Sequence, residues 1–488
     1  MSDSDSSQTI RMNSDSLARQ LRPVVLLKAA QFAGIALSGI LIPRWMGPDL
    51  FGQFVVLFSL IMLWRTTCNI GGRYIFGRFV PQYASRGKPE EVRAVFMHVL
   101  STRAAIALLG APVLFWFLDR LLPDASRTTL IAGASTYVVA LIAGPMFGVQ
   151  FGLNRLGLSL VNDPARRFFF LILLVVLGGT ASLERASLAL LSAQVLVLMV
   201  GLVLARGLFT LRRSAFDLSS LWEHVRFGVV IYFASLLVRI PWHLGETALA
   251  FQEVDSAKIA YFGVAVAATG AVAKIMASAT TLLIPSLSIQ QEIGDLQARD
   301  QTLGLALKYL LVGAGLFACT VIAAAPFAIR ALLGESYLGA LPNLLILAVG
   351  VVALPLRSTA LALAVVTGRV RLNVQLGVIA LGVFGLAAVL LIPDFESRGA
   401  SAALSISILI TALVGALQIR NTGVPAEARI GRLAIATVAA GLVLRLGGLS
   451  PLVAGLAAIV YVALLSALGV IRWGELRSFV GSNGLLSR

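Results

Sequence analysis

Apolar runs of about 20 residues follow one another along almost the whole chain, and only short polar segments separate them. A run of about 20 apolar residues is long enough to cross a bilayer as an α-helix. Inside lipid every backbone N–H and C=O group needs a partner within the protein, which an α-helix supplies along its own length. The pattern therefore predicts an all-α polytopic membrane protein.

The runs indicate about 14 transmembrane helices, arranged as two sets of six and a final pair. The first set lies near residues 22–44, 50–71, 97–118, 128–151, 159–180 and 184–205. The second set lies near residues 226–250, 257–284, 305–328, 338–366, 373–393 and 399–419. The final pair lies near residues 429–447 and 451–471, and a count of 12 helices is the alternative without it.

These helices predict two six-helix lobes between polar tails. The predicted segments are a tail 1–21, an N-lobe 22–206, a linker 207–225, a C-lobe 226–420, a helix pair 429–471 and a tail 472–488. A weak internal repeat supports two lobes, because the segment 154–158 (NRLGL) parallels the segment 368–372 (GRVRL). Two such halves fit a transporter that opens alternately to each side of the membrane.

Composition and charge agree with this class. The 488 residues are 58% hydrophobic and 13% charged, and the mean hydropathy is +0.91. The net charge of +16 is explained by topology, since most loop Lys and Arg residues fall on the side of the N-terminus. The positive-inside rule then predicts that both termini are cytoplasmic, and the basic loops are expected to contact anionic membrane lipids. Nucleic acid is not expected as a partner.

Basic side chains lie inside the predicted spans with almost no acid among them, which indicates an anionic ligand. They are Lys28, Arg65, Arg103, Arg239, Lys274 and Arg357. A charge near the middle of a spanning helix costs about 2.5–3.5 kcal/mol on insertion scales, so a set of one sign points to a polar cavity. The shallower Lys28, Arg65 and Arg103 have an alternative, since long basic stems can extend to the headgroups.

The seventh predicted helix carries three polar side chains on one face. Arg239, His243 and Glu246 follow the spacing i, i+4, i+7, and Pro241 can distort the helix between them. One interpretation is an ion pair between Arg239 and Glu246 that neutralises itself. The other has Arg239 contacting substrate while Glu246, aided by His243, binds a proton or Na⁺ during transport.

Motifs of other chemistries are missing from the sequence. It contains no P-loop, no His/Cys cluster with metal spacing and no nucleophile elbow. Cys68 and Cys319 are far apart and are expected to be free thiols in the core. The chain is therefore predicted not to be an enzyme and to need no cofactor or metal.

Several ordered motifs resemble those of bacterial polysaccharide and O-antigen flippases. The segment 44–54 (RWMGPDLFGQF), directly after the first helix, is similar to a signature of that family. Three further stretches, 72–81, 332–342 and 392–400, agree with family motifs in order and spacing. The family belongs to the multidrug/oligosaccharidyl-lipid/polysaccharide exporter (MOP) superfamily.

The resemblance implies an inner-membrane flippase that works by alternating access. Its substrate would be an undecaprenyl-pyrophosphate-linked oligosaccharide, moved from the cytoplasmic to the periplasmic leaflet for exopolysaccharide, capsule or O-antigen synthesis. Polysaccharide polymerase and chain-length proteins are the implied partners. Lys28, Arg65 and Lys274 lie on the same helices as cavity arginines of related lipid II flippases. The alternatives are an ion-coupled drug or metabolite antiporter of the same superfamily and a membrane-embedded polysaccharide polymerase.

Overall fold

The computed structural model of the protein describes residues 14–209 and 218–420, and all regular elements within those ranges are helical. Eight helices in these ranges are long and apolar enough to cross a membrane. The predicted all-α multi-pass class is thereby confirmed. The predicted pair 429–471 and tail 472–488 lie outside the described residues, as do residues 1–13 of the N-terminal tail.

The helices follow the predicted spans closely. The first seven are α1 (Ser14–Thr67), α2 (Gly72–Ser85), α3 (Pro89–Leu121), α4 (Arg127–Gly152), α5 (Leu156–Leu160), α6 (Asn162–Val176) and α7 (Leu183–Ala205). The remaining ones are α8 (Leu218–Arg239), α9 (Pro241–Phe251), α10 (Ser256–Glu292), α11 (Leu296–Leu332), α12 (Leu341–Val366) and α13 (Val370–Arg420). Short 3₁₀ turns lie at Arg206–Leu208 and Glu335–Ala340.

Two long helices each contain a pair of predicted spans and break where the sequence predicts a turn. In α1 the break is at Gly47, with φ 74° and ψ 168°. A side chain at that φ would be strained, and glycine is the residue that adopts it readily. In α13 the break is at Glu396, with φ 49° and ψ −124°. The predicted division of both regions into two spans therefore agrees with the backbone.

The seventh predicted span is divided at its proline. Helix α8 ends at Arg239 and α9 begins at Pro241. Proline has no N–H and cannot complete the helical hydrogen bond to the carbonyl four residues earlier. The predicted distortion at Pro241 is confirmed, and it separates the helix carrying Arg239 from the helix carrying His243 and Glu246.

Helix α2 was not predicted from the sequence. It buries Ile75, Phe76, Phe79 and Val80 on one stripe, while polar residues including Arg73 stay exposed. Such a stripe is typical of an amphipathic helix. At 14 residues it is too short and too polar for a transmembrane run. The pattern of apolar spans therefore does not predict it.

The described chain forms two compact units. Unit 1 contains the described residues up to Ser38, then Cys68–Asp119, and the described part of Asp124–Tyr232. Unit 2 contains Gly39–Thr67, Arg120–Pro123 and the described residues from Phe233 onward. Helix α1 thus contributes to both units. The predicted lobes 22–206 and 226–420 stay a prediction.

Each unit has its own apolar core. In unit 1, α2, α3 and α4 bury a cluster that includes Phe76, Phe96 and Phe147. In unit 2, Leu57, Phe262 and Phe384 are completely buried. Cys68 and Cys319 are free thiols, as expected.

Two of the family-like motifs meet in unit 2. The Arg44 guanidinium donates hydrogen bonds to the carbonyls of Ala331 (3.0 Å) and Leu332 (3.3 Å), the last residues of α11. The Tyr337 hydroxyl donates to the Pro43 carbonyl at 2.8 Å. The last turn of a helix leaves carbonyls without intrahelical partners, and a basic side chain satisfies them. The motifs at 44–54 and 332–342 therefore act together as a structural joint.

We expect Tyr337→Phe to lower the stability of the chain by about 1 kcal/mol, because the buried Pro43 carbonyl would lose its donor. Thermal unfolding of the purified chain in detergent measures the change. Tyr74→Phe is the matched control, since Tyr74 is exposed on α2 and its hydroxyl should contribute little. An equal melting temperature for wild type and Tyr337→Phe would contradict the proposed importance of this bond.

Candidate functional site

Three of the predicted substrate-binding cations lie close enough to one histidine in unit 2 for their charges to act on it. The charges of Lys274, Arg239 and Arg65 all act on the ring of His243. Arg65 lies in the last turn of α1 and Arg239 in the last turn of α8, whereas Lys274 lies midway along α10. Side chains from α1, α8, α9 and α10 thus act on one place, although they lie up to about 200 residues apart in the sequence. Spacing along the sequence does not reveal such a cluster.

The cluster is accessible to a ligand. Arg239 and Lys274 are exposed in the described structure, and Arg65 and His243 are partly buried. Like charges placed close together in a low-dielectric region repel, so such an arrangement is stabilised by a bound anion. Three cations whose charges act at one place suit a negatively charged ligand.

Glu246 lies apart from these cations. It is 6% exposed, and its Oε2 atom has no hydrogen-bond partner among the described residues. Burial of α9 against α10 and α13 encloses it. In the part of the chain that the structure describes, no cationic side chain acts on this carboxyl, so the neutralising pair of Arg239 with Glu246 is not formed. The break at Pro241 lies between the two residues.

Lys28 lies in unit 1, in a hydrogen-bonded network between α1 and α6. Its Nζ atom donates to Gln31 Oε1 at 3.2 Å, and Gln31 Nε2 donates to Asp163 Oδ2 at 3.0 Å. Arg166 Nη2 binds Asp163 Oδ1 at 2.9 Å, and Arg167 Nε binds Asp163 Oδ2 at 3.3 Å. One carboxylate therefore binds both arginines of α6 directly and is linked to Lys28 of α1 through Gln31.

Local sequence explains why this network forms. On α1, Lys28, Gln31 and Ser38 fall on one face, and Ser38 Oγ accepts from Arg167 Nη1 at 3.1 Å. Gly34 lies between them, and a Cβ there would be 3.2 Å from Arg167 Cδ. The absence of a side chain at Gly34 lets the arginine stem cross α1 closely.

Arg103 is placed in the interior of unit 1. It is 6% exposed, and its Nη2 donates to Asn69 Oδ1, which also accepts from the Gly71 N–H at 3.2 Å. The guanidinium rests on Gly72 and Gly144, where any Cβ would clash with it. Its contacts hold the turn between α1 and α2 against α3.

Arg357 is also buried, at 8% exposure on α12. Its backbone packs closely on α13, since a Cβ at Gly415 would lie 3.6 Å from Arg357 Cα. The six predicted cations therefore fall into four settings. Arg65, Arg239 and Lys274 share one cluster, Lys28 belongs to the network on α1 and α6, and Arg103 and Arg357 lie in two separate buried positions.

Asp163, Arg166 and Arg167 were not among the site residues predicted from the sequence. Basic residues near the start of the fifth predicted span are typical topology determinants, which concealed another use. A signal was present, because an acid followed by arginines at i+3 and i+4 predicts ion pairs on one helix face. The contact with Lys28 and Gln31, by contrast, is invisible before the fold is known.

Two histidines form a buried pair in unit 1. The Nδ1 atoms of His98 and His224 are 3.1 Å apart, and the His224 ring packs edge-on against Phe79 at 4.4 Å. Burial and the neighbouring His98 lower the pKa of His224 to about 4. His224 is therefore neutral at pH 7, and one ring of the pair must donate its Nδ1 proton to the other.

Comparison with known proteins identifies the fold. No protein-family model and no curated protein sequence matches the chain, but solved structures do. The lipid II flippase MurJ in an inward closed conformation matches with a TM-score of 0.70 and 13% identity, covering 91% of this chain and 98% of that one. An inward-facing multidrug resistance MATE family transporter of the MOP superfamily has a TM-score of 0.59 and 17% identity, covering 83% and 95%.

A third match is the Vibrio cholerae MATE transporter VcmN, with a TM-score of 0.56 and 13% identity, covering 84% of this chain and 97% of that one. At these identities the likeness is one of fold. The chain has the fold of these transporters over most of its length, which is the fold expected from the ordered motifs.

Proposed function

We propose that this chain is a flippase for an undecaprenyl-pyrophosphate-linked oligosaccharide and moves it from the cytoplasmic to the periplasmic leaflet of a bacterial inner membrane. The observation that carries the proposal is the cluster of Arg65, Arg239 and Lys274 around His243. A diphosphate that crosses a bilayer must exchange water for other partners, and guanidinium and ammonium groups are the donors that bind phosphate most strongly.

The fold supports a lipid-linked substrate. A lipid II flippase shares it along 98% of that protein's length, and a MATE family transporter with this fold has been solved in an inward-facing conformation. In the proposed cycle the cationic cluster opens alternately to each side of the membrane and both termini stay cytoplasmic. The product feeds a polysaccharide polymerase with its chain-length proteins. The sugars would be held by polar side chains and the lipid tail by the apolar helix surfaces.

Ion coupling is assigned to Glu246, with His243 as its neighbour on α9. A buried carboxylate oxygen without a donor is costly as a bare charge, and a proton or Na⁺ bound to it removes that cost. Binding and release of this ion would alternate with binding and release of the lipid diphosphate.

We expect Glu246→Gln to abolish the stimulation of transport by an ion gradient, because the glutamine amide does not titrate near pH 7 and has no negative charge to bind Na⁺. Flipping by reconstituted chain is measured with and without a pH or Na⁺ gradient. Glu335→Gln is the control, since Glu335 is exposed in a 3₁₀ turn. Full stimulation of the Glu246→Gln chain would remove Glu246 from the coupling mechanism.

A second candidate function is an ion-coupled antiporter of drugs or metabolites. The buried Glu246 favours it, together with the MATE transporters of the same fold. An exporter of cationic compounds needs acids in its cavity, however, and the accessible cluster in unit 2 is basic.

The deciding experiment reconstitutes the full chain in vesicles with a fluorescent undecaprenyl-diphosphate disaccharide. A membrane-impermeant quencher added outside reports how much label reaches the outer leaflet. Protein-dependent transfer of this lipid, without transfer of a labelled phosphatidylcholine, is the expected result. Efflux of cationic dyes with no transfer of the lipid diphosphate would establish the antiporter instead.

A further inference from the structure

Asp163 is the acid at which basic side chains of α1 and α6 meet in the described structure. Arg166 and Arg167 bind it directly, and Lys28 is linked to it through Gln31. Because Arg166 binds one carboxylate oxygen, Lys28 and Arg167 share the other oxygen. A further anion would be favourable beside these two cations.

The donors of the network converge on the two carboxylate oxygens. Arg166 binds Oδ1 at 2.9 Å, whereas Arg167 binds Oδ2 at 3.3 Å. Gln31 binds the same Oδ2 at 3.0 Å and links it to Lys28 at 3.2 Å. The position of this carboxylate is therefore a built anion site, with donors aimed at it from both helices.

The side chains of the network differ in their exposure to solvent, and this difference would let a ligand replace the Asp163 carboxylate at part of the network. The side chain of Asp163 is 33% exposed and that of Arg167 is 17% exposed, while Arg166 is 7% exposed. A ligand can thus reach the side chains of Asp163 and Arg167 and the partly buried Lys28. The more buried Arg166 can keep its bond to Oδ1, so that Asp163 is not left without a partner when Oδ2 is released.

We propose that Asp163 is an internal counter-ion that the diphosphate of the substrate replaces, so that Lys28 and Arg167 form a phosphate-binding site on unit 1. Arg166 is a positioning residue that holds the displaced carboxylate. The inference rests on the proposed flippase function and adds a second set of phosphate-binding residues to it. A diphosphate diester has an ionised oxygen on each phosphorus, which matches the two charges of Lys28 and Arg167, and the guanidinium fork suits its oxygens.

The test is calorimetric titration of the full chain in nanodiscs with geranyl diphosphate and, separately, with inorganic pyrophosphate. Asp163→Asn should bind both probes about tenfold more tightly, because the competing anion is gone. Lys28→Gln and Arg167→Gln should each weaken binding about tenfold. Glu396→Gln is the matched control, since it removes the acid of another ion pair, with Lys258 at 2.5 Å, and should change nothing.

A gain for both probes assigns the effect to the phosphate groups. A gain for geranyl diphosphate alone would place the interaction in the lipid chain and overturn the assignment to these side chains. A network that only joins α1 to α6 predicts a lower melting temperature for Asp163→Asn with no tighter binding, which would also overturn the proposal. On our proposal, added pyrophosphate raises the melting temperature of Asp163→Asn by more than that of wild type.

If Asp163→Asn does not fold, Lys28→Gln and Arg167→Gln decide, and wild-type affinity in both overturns the inference. Variants of the other cluster separate this inference from the proposed function. Weakening by Arg239→Gln and Lys274→Gln alone would leave the flippase proposal intact and reject the site on unit 1. A folded wild-type chain that binds neither probe would reject both.

Discussion

Lys274→Gln and Arg239→Gln should each reduce flipping of the lipid diphosphate by about 100-fold, a loss of roughly 2.7 kcal/mol of binding to the transported anion. Both side chains are exposed and both act on the same histidine. Glutamine keeps most of the side-chain length and removes the charge. The substrate phosphates would then leave water with one charged donor fewer, in a segment where an unpaired charge costs most.

Flipping is measured in reconstituted vesicles, with the amount of protein in the membrane quantified in parallel. Lys258→Gln is a close control because Lys258 lies on α10, as Lys274 does, but pairs with Glu396. It should flip at nearly the wild-type rate. If Lys274→Gln flipped as fast as Lys258→Gln, the cationic cluster in unit 2 would not be the phosphate site, and the flippase proposal would lose its main support.

Gly52→Ala should prevent stable folding of unit 2, with a loss of at least about 3 kcal/mol, the upper part of the range for overpacking. A Cβ at Gly52 would lie 1.9 Å from the Ser256 carbonyl oxygen and 2.5 Å from its carbonyl carbon. Both atoms are backbone at the start of α10, so no side-chain rotation relieves the clash. The helices α1 and α10 would have to move apart.

The measurement is the yield of monodisperse chain and its melting temperature in detergent. Gly39→Ala is the matched control on the same helix, because no atom lies within 4 Å of a Cβ there. Alanine should be neutral or stabilising by up to about 1 kcal/mol at that site, as expected for a helix interior. A Gly52→Ala chain with the wild-type melting temperature would show that α1 and α10 do not pack as described.

The span pattern and the special backbone positions were predictable because they depend on local chemistry. Gly47 and Pro241 mark breaks that any helix would show at such residues. The clustering of Arg65, Arg239 and Lys274 could be expected in kind, since cations within apolar helices need a shared polar surrounding. The sequence could not predict which of the cations share a surrounding. Arg103 and Lys274 look alike in sequence and differ only in the residues that surround them in the fold.

In the network on α1 and α6, the sequence predicts the ion pairs within α6 but not the contact of α6 with α1. Arg166 and Arg167 also match the general excess of basic residues near predicted cytoplasmic helix ends. Their second role depends on Gly34 and Ser38 lying opposite them. These residues are far apart in the sequence, and no sequence pattern predicts a contact between them.

The division of α1 between the units has a consequence for biogenesis. Residues 39–67 leave the ribosome early, yet Arg44 and Gly52 make their contacts with Leu332 and Ser256, which are synthesised much later. Residues 39–67 must therefore stay in the membrane with their packing surfaces against lipid or an insertion factor until the second half of the polypeptide is synthesised. Unit 2 is for this reason not an independent module, and a polypeptide beginning at residue 233 would lack part of its own interior.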